Sequence, residues 1–351
     1  MAKYGFIIPV YNTPTRLLDE CVNSILQQTF DDYVVVLVDD CSEKDIANHC
    51  DSIGQLDDRI QVVHHSSNKG LPAARNSGIE CANAEWLLFI DADDYIEPNS
   101  CEYFNGIISN FNCDFFQFSG FLNYKRKQID CSFLFDSIRV FSSYSERESF
   151  QKRYLLDQTR INVPDSFPIQ SACTKLVSKS FLMREKLSFI DVRFAEDALF
   201  HLYSIEKANS FAVVPFRFYH YRCVEESMVN SYRPNADAEQ LNVMIHMWAF
   251  AKEFNKDKTF EKAMYMLSFI SMQMCIWQKF FNKNNNDSYR IKRKQCSTFF
   301  SNEPYKNTLK NVCFCKLKRN QKLKYILVKF KMYQSLVYLR EKYNKKMGKI
   351  S

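Results

Sequence analysis

LLFIDADD (residues 87–94) places three acidic residues directly after a short apolar run. Apolar runs of this length are typical of strands that are buried on both faces of a sheet. Neighbouring carboxylates destabilise one another unless a cation or a shared proton lies between them, or water surrounds them. The stretch therefore predicts a buried strand that ends at a metal-binding or solvent-exposed acidic site.

Three similar apolar runs precede this one: YGFIIPV (4–10), YVVVLV (33–38) and IQVVH (60–64). The stretches between the runs are long enough for helices. After the first run, Thr13 and Pro14 form a helix-start signal, and apolar residues recur at helical spacing from Leu17 to Leu26. Strands that alternate with helices predict an α/β protein with a parallel sheet and helices on both faces.

Polar residues follow three of the predicted strands: VDDCS (38–42), HHSSNKG (64–70) and DADD (91–94). Because ligands of parallel α/β sheets bind beyond the carboxyl ends of the strands, we expect the functional site at this edge. If the acidic stretch is extended, Asp91 and Asp93 point the same way and are about 6–7 Å apart along the backbone. Such carboxylates suit Mg²⁺ or Mn²⁺, although an ordinary acidic turn has the same composition.

The composition excludes several classes of protein. No apolar run reaches the roughly 18 residues of a membrane-spanning helix, and the first residues lack a signal-peptide pattern. The 13 cysteines are scattered through 351 residues, so without an export signal we expect reduced thiols and a cytoplasmic protein. With seven glycines in all, the chain has no glycine-rich phosphate loop. A phosphorylated ligand would therefore be held by a metal and basic side chains.

Charge is distributed unevenly along the chain. Residues 281–351 contain 19 Lys/Arg and 3 Asp/Glu, whereas residues 1–280 contain 28 and 37. Within this basic region, residues 317–349 interleave Lys and Arg with aromatic and aliphatic residues. The pattern is compatible with an amphipathic helix on an anionic membrane, a solvated helix packed on the rest of the protein, or a nucleic-acid-binding patch.

Five motifs occur together near the amino terminus: PVYN (9–12), ILQQTF (25–30), VDDCS (38–42), NKGLPAARNSG (68–78) and LLFIDADD (87–94). Their order and spacing resemble those of the family 2 glycosyltransferases, which are inverting enzymes of the GT-A fold. The resemblance resumes in three later segments: ACTKLVSKSFL (172–182), RFAEDALF (193–200) and YHYRCVEESMVNS (219–231). Several motifs in the right order make the resemblance specific, whereas any one of them alone would be weak.

The resemblance implies an α/β protein of the GT-A fold, which is Rossmann-like, with a mostly parallel sheet covered by helices on both faces. It implies a catalytic domain over residues 1–235, with a nucleotide-binding half (1–100) and an acceptor half (101–235). Residues 236–351 would then form a helical, basic carboxyl-terminal extension.

The nucleotide-binding motifs of the family can be placed on individual residues of this sequence. The resemblance assigns donor binding to Pro9, Tyr11, Asn12, Asp39, Asp40, Asn68, Gly70, Arg75, Asp91 and Asp93. Asp39 and Asp40 would contact the base, although an N-cap and a turn are the alternatives. The guanidinium of Arg75 would contact the diphosphate or a base carbonyl, or would instead pair with an acid on the helix surface.

The acidic motif would bind the metal. In the family, the residues that correspond to Asp91 and Asp93 contact the ribose and the Mn²⁺ or Mg²⁺ ion on the sugar-nucleotide diphosphate. His220 would complete the metal shell or contact the diphosphate, which Arg222 could also contact, although a histidine between two tyrosines is equally compatible with packing.

Inverting transfer needs a carboxylate that removes the acceptor's hydroxyl proton as the oxygen attacks the anomeric carbon. The resemblance assigns this role to Asp197, and a sugar or acceptor contact to Glu196. Both residues could instead be first-turn helix acids, which the helix dipole favours. The family often has Trp-Asn before the lysine that corresponds to Lys175, whereas this chain has Cys173-Thr174. This departure leaves the acceptor pocket and the role of Lys175 open.

The resemblance implies a metal-dependent inverting glycosyltransferase. The enzyme would move a sugar from a nucleotide diphosphate donor, with UDP favoured, to a glycan or lipid-linked saccharide in capsule, lipopolysaccharide or exopolysaccharide synthesis. It would lie in the cytoplasm, peripheral to the inner face of the cell membrane, and would not bind nucleic acid. The alternatives are a sugar-nucleotide nucleotidyltransferase, which normally needs a glycine-rich loop, and a non-enzymatic basic module that binds glycans or nucleic acid.

Overall fold

The computed structural model of the protein describes four stretches of the chain: residues 1–131, 133–157, 170–223 and 232–346. Parts of two segments singled out in the sequence, residues 224–231 and 347–349, lie outside the described residues. Contacts divide the described residues into two units, which lie within 1–150 with 163–223, and within 151–162 with 224–351. We refer to them as the amino-terminal unit and the carboxyl-terminal unit.

The described part of the amino-terminal unit contains one ten-stranded sheet. Its strands are β1 (Ala2–Val10), β2 (Tyr33–Asp39), β3 (Ile60–His64), β4 (Ala84–Phe89), β5 (Tyr95–Ile96), β6 (Phe115–Tyr124), β7 (Lys127–Asp130), β8 (Arg139–Phe141), β9 (Lys175–Ser178) and β10 (Phe211–Arg222). They lie in the order β3-β2-β1-β4-β9-β6-β10-β5, with β7 beside β6 and β8 beside β10. β3, β2, β1 and β4 are parallel, whereas β9 runs antiparallel to β4 and to β6. The sheet is therefore parallel from β3 to β4 and mixed beyond β4.

Helices cover both faces of this sheet. They are α1 (Thr15–Leu26), α2 (Lys44–Gly54), α3 (Leu71–Cys81), α4 (Ser100–Asn110), α6 (Lys179–Glu185), α7 (Glu196–Lys207) and the part of α5 (Tyr144–Asp157) up to Phe150, where this stretch of the unit ends. Alternate residues of β1 enter two separate cores, because successive side chains of a strand point to opposite faces. Phe6 and Ile8 pack with side chains of α1, α2 and α4, whereas Ile7 packs with α3, α6 and α7. The predicted α/β fold with a doubly covered sheet is confirmed.

The sequence analysis treated the acidic stretch after β4 as extended, but the structure shows that it is not. β4 ends at Phe89, and the Asp94 N–H donates a hydrogen bond of 3.0 Å to the carbonyl oxygen of Asp91. Residues 91–94 therefore form a turn, in which aspartate is a favoured residue. The alternating geometry assumed for Asp91 and Asp93 does not apply, although both residues remain at the carboxyl edge of the parallel strands.

Helix α3 packs closely on β1 at Gly78. A Cβ atom at Gly78 would lie 2.2 Å from Ile7 Cγ2, which is closer than two carbons can approach. We expect Gly78→Ala to lower the free energy of unfolding by about 1–3 kcal/mol, because the helix would have to move away from a buried strand. Equilibrium unfolding in urea measures the difference.

Gly106→Ala is the matched control for this substitution. Gly106 lies in α4, and a Cβ atom there would meet no atom within 4 Å. The change should leave stability unaltered or raise it by up to about 1 kcal/mol, since alanine is the better helix former. Equal losses from the two substitutions would contradict the close approach of α3 to β1.

The carboxyl-terminal unit is helical in its described part. Its helices after residue 223 are α8 (Ala236–Glu253), α9 (Lys258–Cys275), α10 (Tyr289–Phe300), α11 (Thr308–Asn311), α12 (Arg319–Lys329) and α13 (Tyr333–Lys346). α9 is buried along most of its length and packs against α8 and α11. The predicted helical extension is confirmed for these residues. Over the stretches that the structure describes, no helix combines the length and the apolar character needed to span a membrane.

Candidate active site

The carboxyl ends of β1 and β2 are joined through Asn12. Its backbone N–H donates to Ser42 Oγ at 3.0 Å, and its Oδ1 accepts from the Glu43 N–H at 2.8 Å. Asn12 has a positive φ of 50°, a conformation that asparagine tolerates better than most residues. Pro9 lies within β1, and the side chain of Tyr11 is exposed at this edge. The three residues predicted from the first motif therefore lie at the expected edge of the sheet.

Asp40 holds the loop that follows β3. Its carboxylate accepts hydrogen bonds from the Lys69 N–H at 2.8 Å and the Gly70 N–H at 2.7 Å, and His65 Nδ1 lies 2.7 Å from Oδ1. Asn68 Nδ2 lies 3.4 Å from the Asp40 carbonyl oxygen. Gly70 has a φ of 89°, which strongly favours glycine. The sequence had assigned Asp40 to the nucleotide base, whereas in the structure this buried carboxylate fixes the loop.

Asp39 is also buried and is bonded through both oxygens. Oδ1 accepts from the Ser42 N–H at 3.0 Å, and Oδ2 lies 2.8 Å from His64 Nδ1. Burial opposes ionisation, but the hydrogen bonds from Ser42 and His64 outweigh it and lower the pKa of Asp39. The pKa of His64 is raised by hydrogen bonds to Asp51 and Asp39. The pair places a fixed carboxylate at the end of β2.

Arg75 lies at the centre of the site. Its Nη2 donates to Asp91 Oδ1 at 3.0 Å, and its Nη1 donates to Glu196 Oε1 at 3.1 Å and to Asp197 Oδ1 at 2.5 Å. The arginine side chain is 1% exposed, whereas the three acids are 33%, 13% and 20% exposed in that order. We call these four residues the Arg75 cluster. It brings three carboxylates from two distant motifs to one buried cation while leaving them accessible from the site.

The position of Arg75 differs from the expectation. The sequence had directed its guanidinium to a diphosphate or a base carbonyl, with a surface ion pair as the alternative. In the structure the guanidinium is paired with acids, but the pairing lies in the protein interior and not on the helix surface. The reason is that α3 packs on β1 and carries Arg75 beneath the turn that contains Asp91. Its role in donor binding remains a prediction.

The first turn of α7 presents the two acids of the RFAEDALF segment. Glu196 and Asp197 follow Ala195, whose φ of 59° marks a sharp entry into the helix. Besides its bond to Arg75, Asp197 accepts through Oδ2 from the Ala172 N–H at 3.0 Å. Burial, and then the charge of Asp197, raise the pKa of Glu196 to about 7. Asp197 is thus fixed at both oxygens, and Glu196 can exchange a proton near neutral pH.

The third acid of the turn, Asp94, holds the turn to β10. Its carboxylate accepts from the Tyr219 hydroxyl at 2.7 Å and from the Arg222 N–H at 2.7 Å. The Tyr219 oxygen in turn accepts from the Asp91 N–H at 3.1 Å. Burial and the charges of the neighbouring aspartates raise the pKa of Asp94 well above its usual value. Sequence reasoning assigned Asp94 no role, and its only signal was its place in DADD.

His220 is packed rather than placed beside the acidic turn. Its Nε2 lies 2.7 Å from Glu97 Oε1, its Nδ1 lies 3.1 Å from Asn123 Nδ2, and its ring stacks between Tyr95 and Phe121. Both ring nitrogens are therefore engaged elsewhere. No group of three or more metal-binding side chains converges in the described stretches. The assignment of His220 to the metal shell is not supported by its position, and the packing alternative describes it.

A family model for glycosyl transferase family 2 matches residues 6–159. Residues 6–159 belong to glycosyltransferase family 2. The matched stretch includes every motif of the sequence from PVYN to DADD, and the family assignment makes the protein a glycosyltransferase. It also removes the nucleotidyltransferase and binding-module alternatives.

Two relatives with glycosyltransferase names support this assignment. EpsH of Bacillus subtilis strain 168, whose glycosyltransferase name is provisional, is 27% identical over 277 residues, which cover 78% of this chain and 76% of EpsH. The poly(ribitol-phosphate) beta-glucosyltransferase of Bacillus spizizenii is 36% identical over 97 residues, which cover 27% of this chain and 15% of that protein. The chain thus spans about three quarters of EpsH but a small part of the second relative.

Solved structures share the fold of this glycosyltransferase. Residues 1–349 of S. aureus TarS, crystallised in complex with UDP-GlcNAc, superpose with a TM-score of 0.64 at 18% identity, and the match covers 98% of this chain and 92% of that one. At this identity the likeness shows the fold, which is the GT-A fold expected from the sequence.

Lys175 braces the backbone that supports Asp197 in this glycosyltransferase. The lysine is fully buried, and its Nζ donates to the carbonyl oxygens of Gln170 at 3.1 Å and Ser171 at 2.7 Å. These residues immediately precede Ala172, whose N–H binds Asp197. Burial lowers the pKa of Lys175 to about 7. In the structure Lys175 therefore holds the segment 170–172, whereas the sequence left its role open.

The acidic turn of the glycosyltransferase has the character of a cation site. Burial, and then the charge of Asp91, raise the pKa of Asp93. Burial is the larger cause, so the ionised Asp93 carboxylate is poorly solvated as well as repelled by Asp91, and a divalent cation would offset both effects. Oxygen ligands from one or two carboxylates, completed by substrate phosphates, suit Mg²⁺. Asp91 and Asp93 therefore fit the metal that the sequence predicts, and its binding stays a prediction.

Proposed function

We propose that this glycosyltransferase transfers a sugar from a UDP-sugar to a hydroxyl group of a glycan acceptor, with inversion at the anomeric carbon. The Arg75 cluster is the observation that supports the proposal. In this cluster the two carboxylates of α7 and the carboxylate of Asp91 form ion pairs with the same guanidinium. One of the α7 carboxylates would be the base, and Asp91 would bind the donor. Transfer needs a base and a donor on opposite sides of one reacting carbon, and the cluster joins the two groups that would meet there.

Asp197 is the base in this proposal. It removes the proton from the acceptor hydroxyl while that oxygen forms a bond to the anomeric carbon and the bond from this carbon to the diphosphate breaks. Arg75 and the Ala172 N–H fix both carboxylate oxygens, which keeps the base in one orientation. Glu196 lies beside it and contacts the acceptor or the transferred sugar. The attack comes from the face opposite the leaving diphosphate, as inversion requires.

Asp91 and Asp93 would hold the divalent cation, Mn²⁺ or Mg²⁺. When bound, the ion offsets negative charge on the departing nucleotide diphosphate, so that no acid is needed to protonate it. The turn is held by Asp94, whose two hydrogen bonds to β10 keep the aspartates at the edge of the sheet.

The nucleotide lies over the ends of β1 and β2. Pro9, Tyr11, Asn12 and Asp39 form its side of the site, and the exposed ring of Tyr11 is available to stack on a base. Asp40, Asn68 and Gly70 act by shaping the neighbouring loop. We favour UDP because S. aureus TarS, which shares the fold, was crystallised with UDP-GlcNAc and with UDP.

The acceptor is a glycan, free or linked to lipid, of the capsule, lipopolysaccharide or exopolysaccharide type. The name of the Bacillus spizizenii relative, poly(ribitol-phosphate) beta-glucosyltransferase, describes glucosyl transfer to a polymer and supports a polymeric acceptor. A lipid-linked acceptor would place the enzyme at a membrane surface, which suits the basic carboxyl-terminal unit.

Thermal unfolding with a panel of donors tests the proposal. UDP-sugars with Mn²⁺ should raise the unfolding midpoint of the wild-type protein more than GDP-, CMP- or dTDP-sugars do, because a ligand that binds only the folded state stabilises it by mass action. Asp93→Asn should lose the part of the shift that depends on Mn²⁺, since one of the two metal ligands becomes neutral.

Asp58→Asn is the control, because Asp58 is an exposed aspartate in the turn before β3. It should respond to UDP-sugars and Mn²⁺ as the wild-type protein does. A larger shift with another nucleotide would replace UDP in the proposal. An equal shift with and without Mn²⁺ would remove the metal, and the absence of any shift would contradict the donor site as a whole.

A further inference from the structure

Helix α12 carries an exposed apolar stripe. Leu323, Ile326 and Phe330 follow one another at spacings of three and four residues, so that they lie on one face of the helix and its carboxyl-terminal cap. Their exposed fractions are 46%, 40% and 66%. We call these three residues the α12 stripe. Large apolar side chains in a contiguous exposed row are typical of a surface that is covered by a partner.

Packing on the opposite face fixes the direction of this stripe. Tyr325 and Val328 are buried, and the Tyr325 hydroxyl donates to the Leu309 carbonyl oxygen at 2.7 Å. The Tyr325 ring also contacts Phe269 of α9, with centroids 5.9 Å apart. The helix is therefore seated by one apolar face, and the α12 stripe is a second apolar face that this seating leaves in water.

Positive charge surrounds the α12 stripe. Exposed basic residues lie before the stripe, between its members and after it: Lys318, Arg319, Lys329 and Lys331. The half-buried Lys322 lies among them, and the sequence contains no Asp or Glu between Glu303 and Glu341. An apolar row flanked by basic residues is the pattern of a helix that lies in the plane of a membrane interface.

We infer that the α12 stripe docks on the surface of a bilayer that contains anionic lipids. The three apolar side chains enter the boundary between headgroups and acyl chains, and the flanking lysines and arginine contact the lipid phosphates. Charge complementarity favours this partner over a second copy of the chain, because a second stripe would bring a like-charged border with it. The inference deepens the proposed function, on which it rests only for the lipid-linked acceptor.

Flotation with lipid vesicles tests the inference on the intact chain. Vesicles of equal parts phosphatidylcholine and phosphatidylglycerol should bind the protein, pure phosphatidylcholine should bind it weakly, and added salt should release it. Replacing all three stripe residues by serine (Leu323→Ser, Ile326→Ser, Phe330→Ser) should weaken binding to the mixed vesicles at least about tenfold, because the apolar contribution is lost.

A matched triple variant distinguishes the stripe from exposed apolar surface in general. Leu56→Ser, Met183→Ser and Ile245→Ser remove three side chains of comparable exposure, at 71%, 62% and 52%, from other helices or their ends. This variant should bind vesicles as the wild-type protein does. Both variants should keep the wild-type unfolding midpoint, which shows that a loss of binding does not reflect unfolding.

Three results would overturn the inference. The first is that the stripe variant binds vesicles as well as the wild type does, and the second is that the wild type does not bind them. The third is that light scattering shows a concentration-dependent increase in mass that the stripe substitutions abolish. The last result would assign the stripe to a second copy of the chain. Stabilisation by UDP-sugars is measured without vesicles, so failure of the membrane inference and failure of the proposed donor site are separate outcomes.

Discussion

Replacing Asp197 by asparagine is expected to lower the rate of sugar transfer by about 10²–10⁴-fold, because an amide cannot take the proton of the acceptor hydroxyl. Binding of the donor should survive, since the contacts of Asp197 are to Arg75 and the Ala172 N–H. The rate is measured as UDP released from the UDP-sugar in the presence of a saccharide acceptor. Donor binding is measured separately, as the shift of the unfolding midpoint.

Two further variants make this result specific. Asp191→Asn changes an exposed aspartate six residues before Asp197 and should transfer at the wild-type rate. Glu196→Gln should retain part of the activity, because in the proposed mechanism Glu196 contacts the acceptor or sugar and Asp197 takes the proton. If Glu196→Gln is inactive and Asp197→Asn is active, the base is Glu196, whose pKa of about 7 suits such a role.

Arg75→Met should produce the largest loss of stability among single substitutions in the site. It removes the one cation of the Arg75 cluster and leaves Asp91, Glu196 and Asp197 facing one another, which costs about 3–5 kcal/mol in comparable buried pairs. Urea unfolding at a series of pH values measures the loss. It should be smaller in acid, because protonation relieves the repulsion among the acids.

The sign of the pH dependence follows from Glu196. The folded-state pKa of Glu196, about 7, lies above the usual 4.5. Glu196 therefore stabilises the folded protein at pH values below 4.5, and this contribution is lost as the pH rises through about 7. Arg75 lowers the pKa of Glu196, so its removal should raise this pKa further. The pH range over which the stabilising contribution of Glu196 is lost should then extend to higher pH. The unfolding free energy of Arg75→Met should therefore fall more steeply between about pH 5 and 8 than that of the wild type.

Arg59→Met is the control for the loss of an ion-paired arginine. Arg59 pairs with Asp57 and Asp31 near the surface and is 31% exposed. Its removal should cost no more than about 1 kcal/mol, as is usual for exposed pairs. Losses of the same size from Arg59→Met and Arg75→Met would contradict the importance assigned to the buried cluster.

Much of the fold could be predicted because its signals are local. The four parallel strands are short apolar runs, of which β1, β2 and β4 are largely buried and β3 is partly exposed. The polar residues after these strands mark the predicted functional edge. The turn at 91–94 was missed because an acidic turn and an extended acidic segment have the same composition, and the bonds of Asp94 to Tyr219 and Arg222 decide between them.

The partners of the site residues could not be predicted in the same way. Arg75 and Asp197 are 122 positions apart in sequence, and no local pattern shows that helix α3 carries one beneath the other. His220 was assigned to the metal shell or the diphosphate, with packing as the alternative, because its neighbours in sequence resemble a family motif. In the structure, Glu97, Asn123 and two aromatic rings determine its position. Motif resemblance identified the residues, and only the packing identified what each one faces.

The Arg75 cluster also has a consequence for which molecules can enter the site. One positive and three negative side chains give it a net charge of −2, or −1 when Glu196 holds a proton. A bare nucleotide diphosphate would meet like charge in a partly desolvated space, where repulsion is weakly screened. In the proposed mechanism the cluster would therefore repel a nucleotide diphosphate that arrives alone and would favour one that carries its own counter-charge.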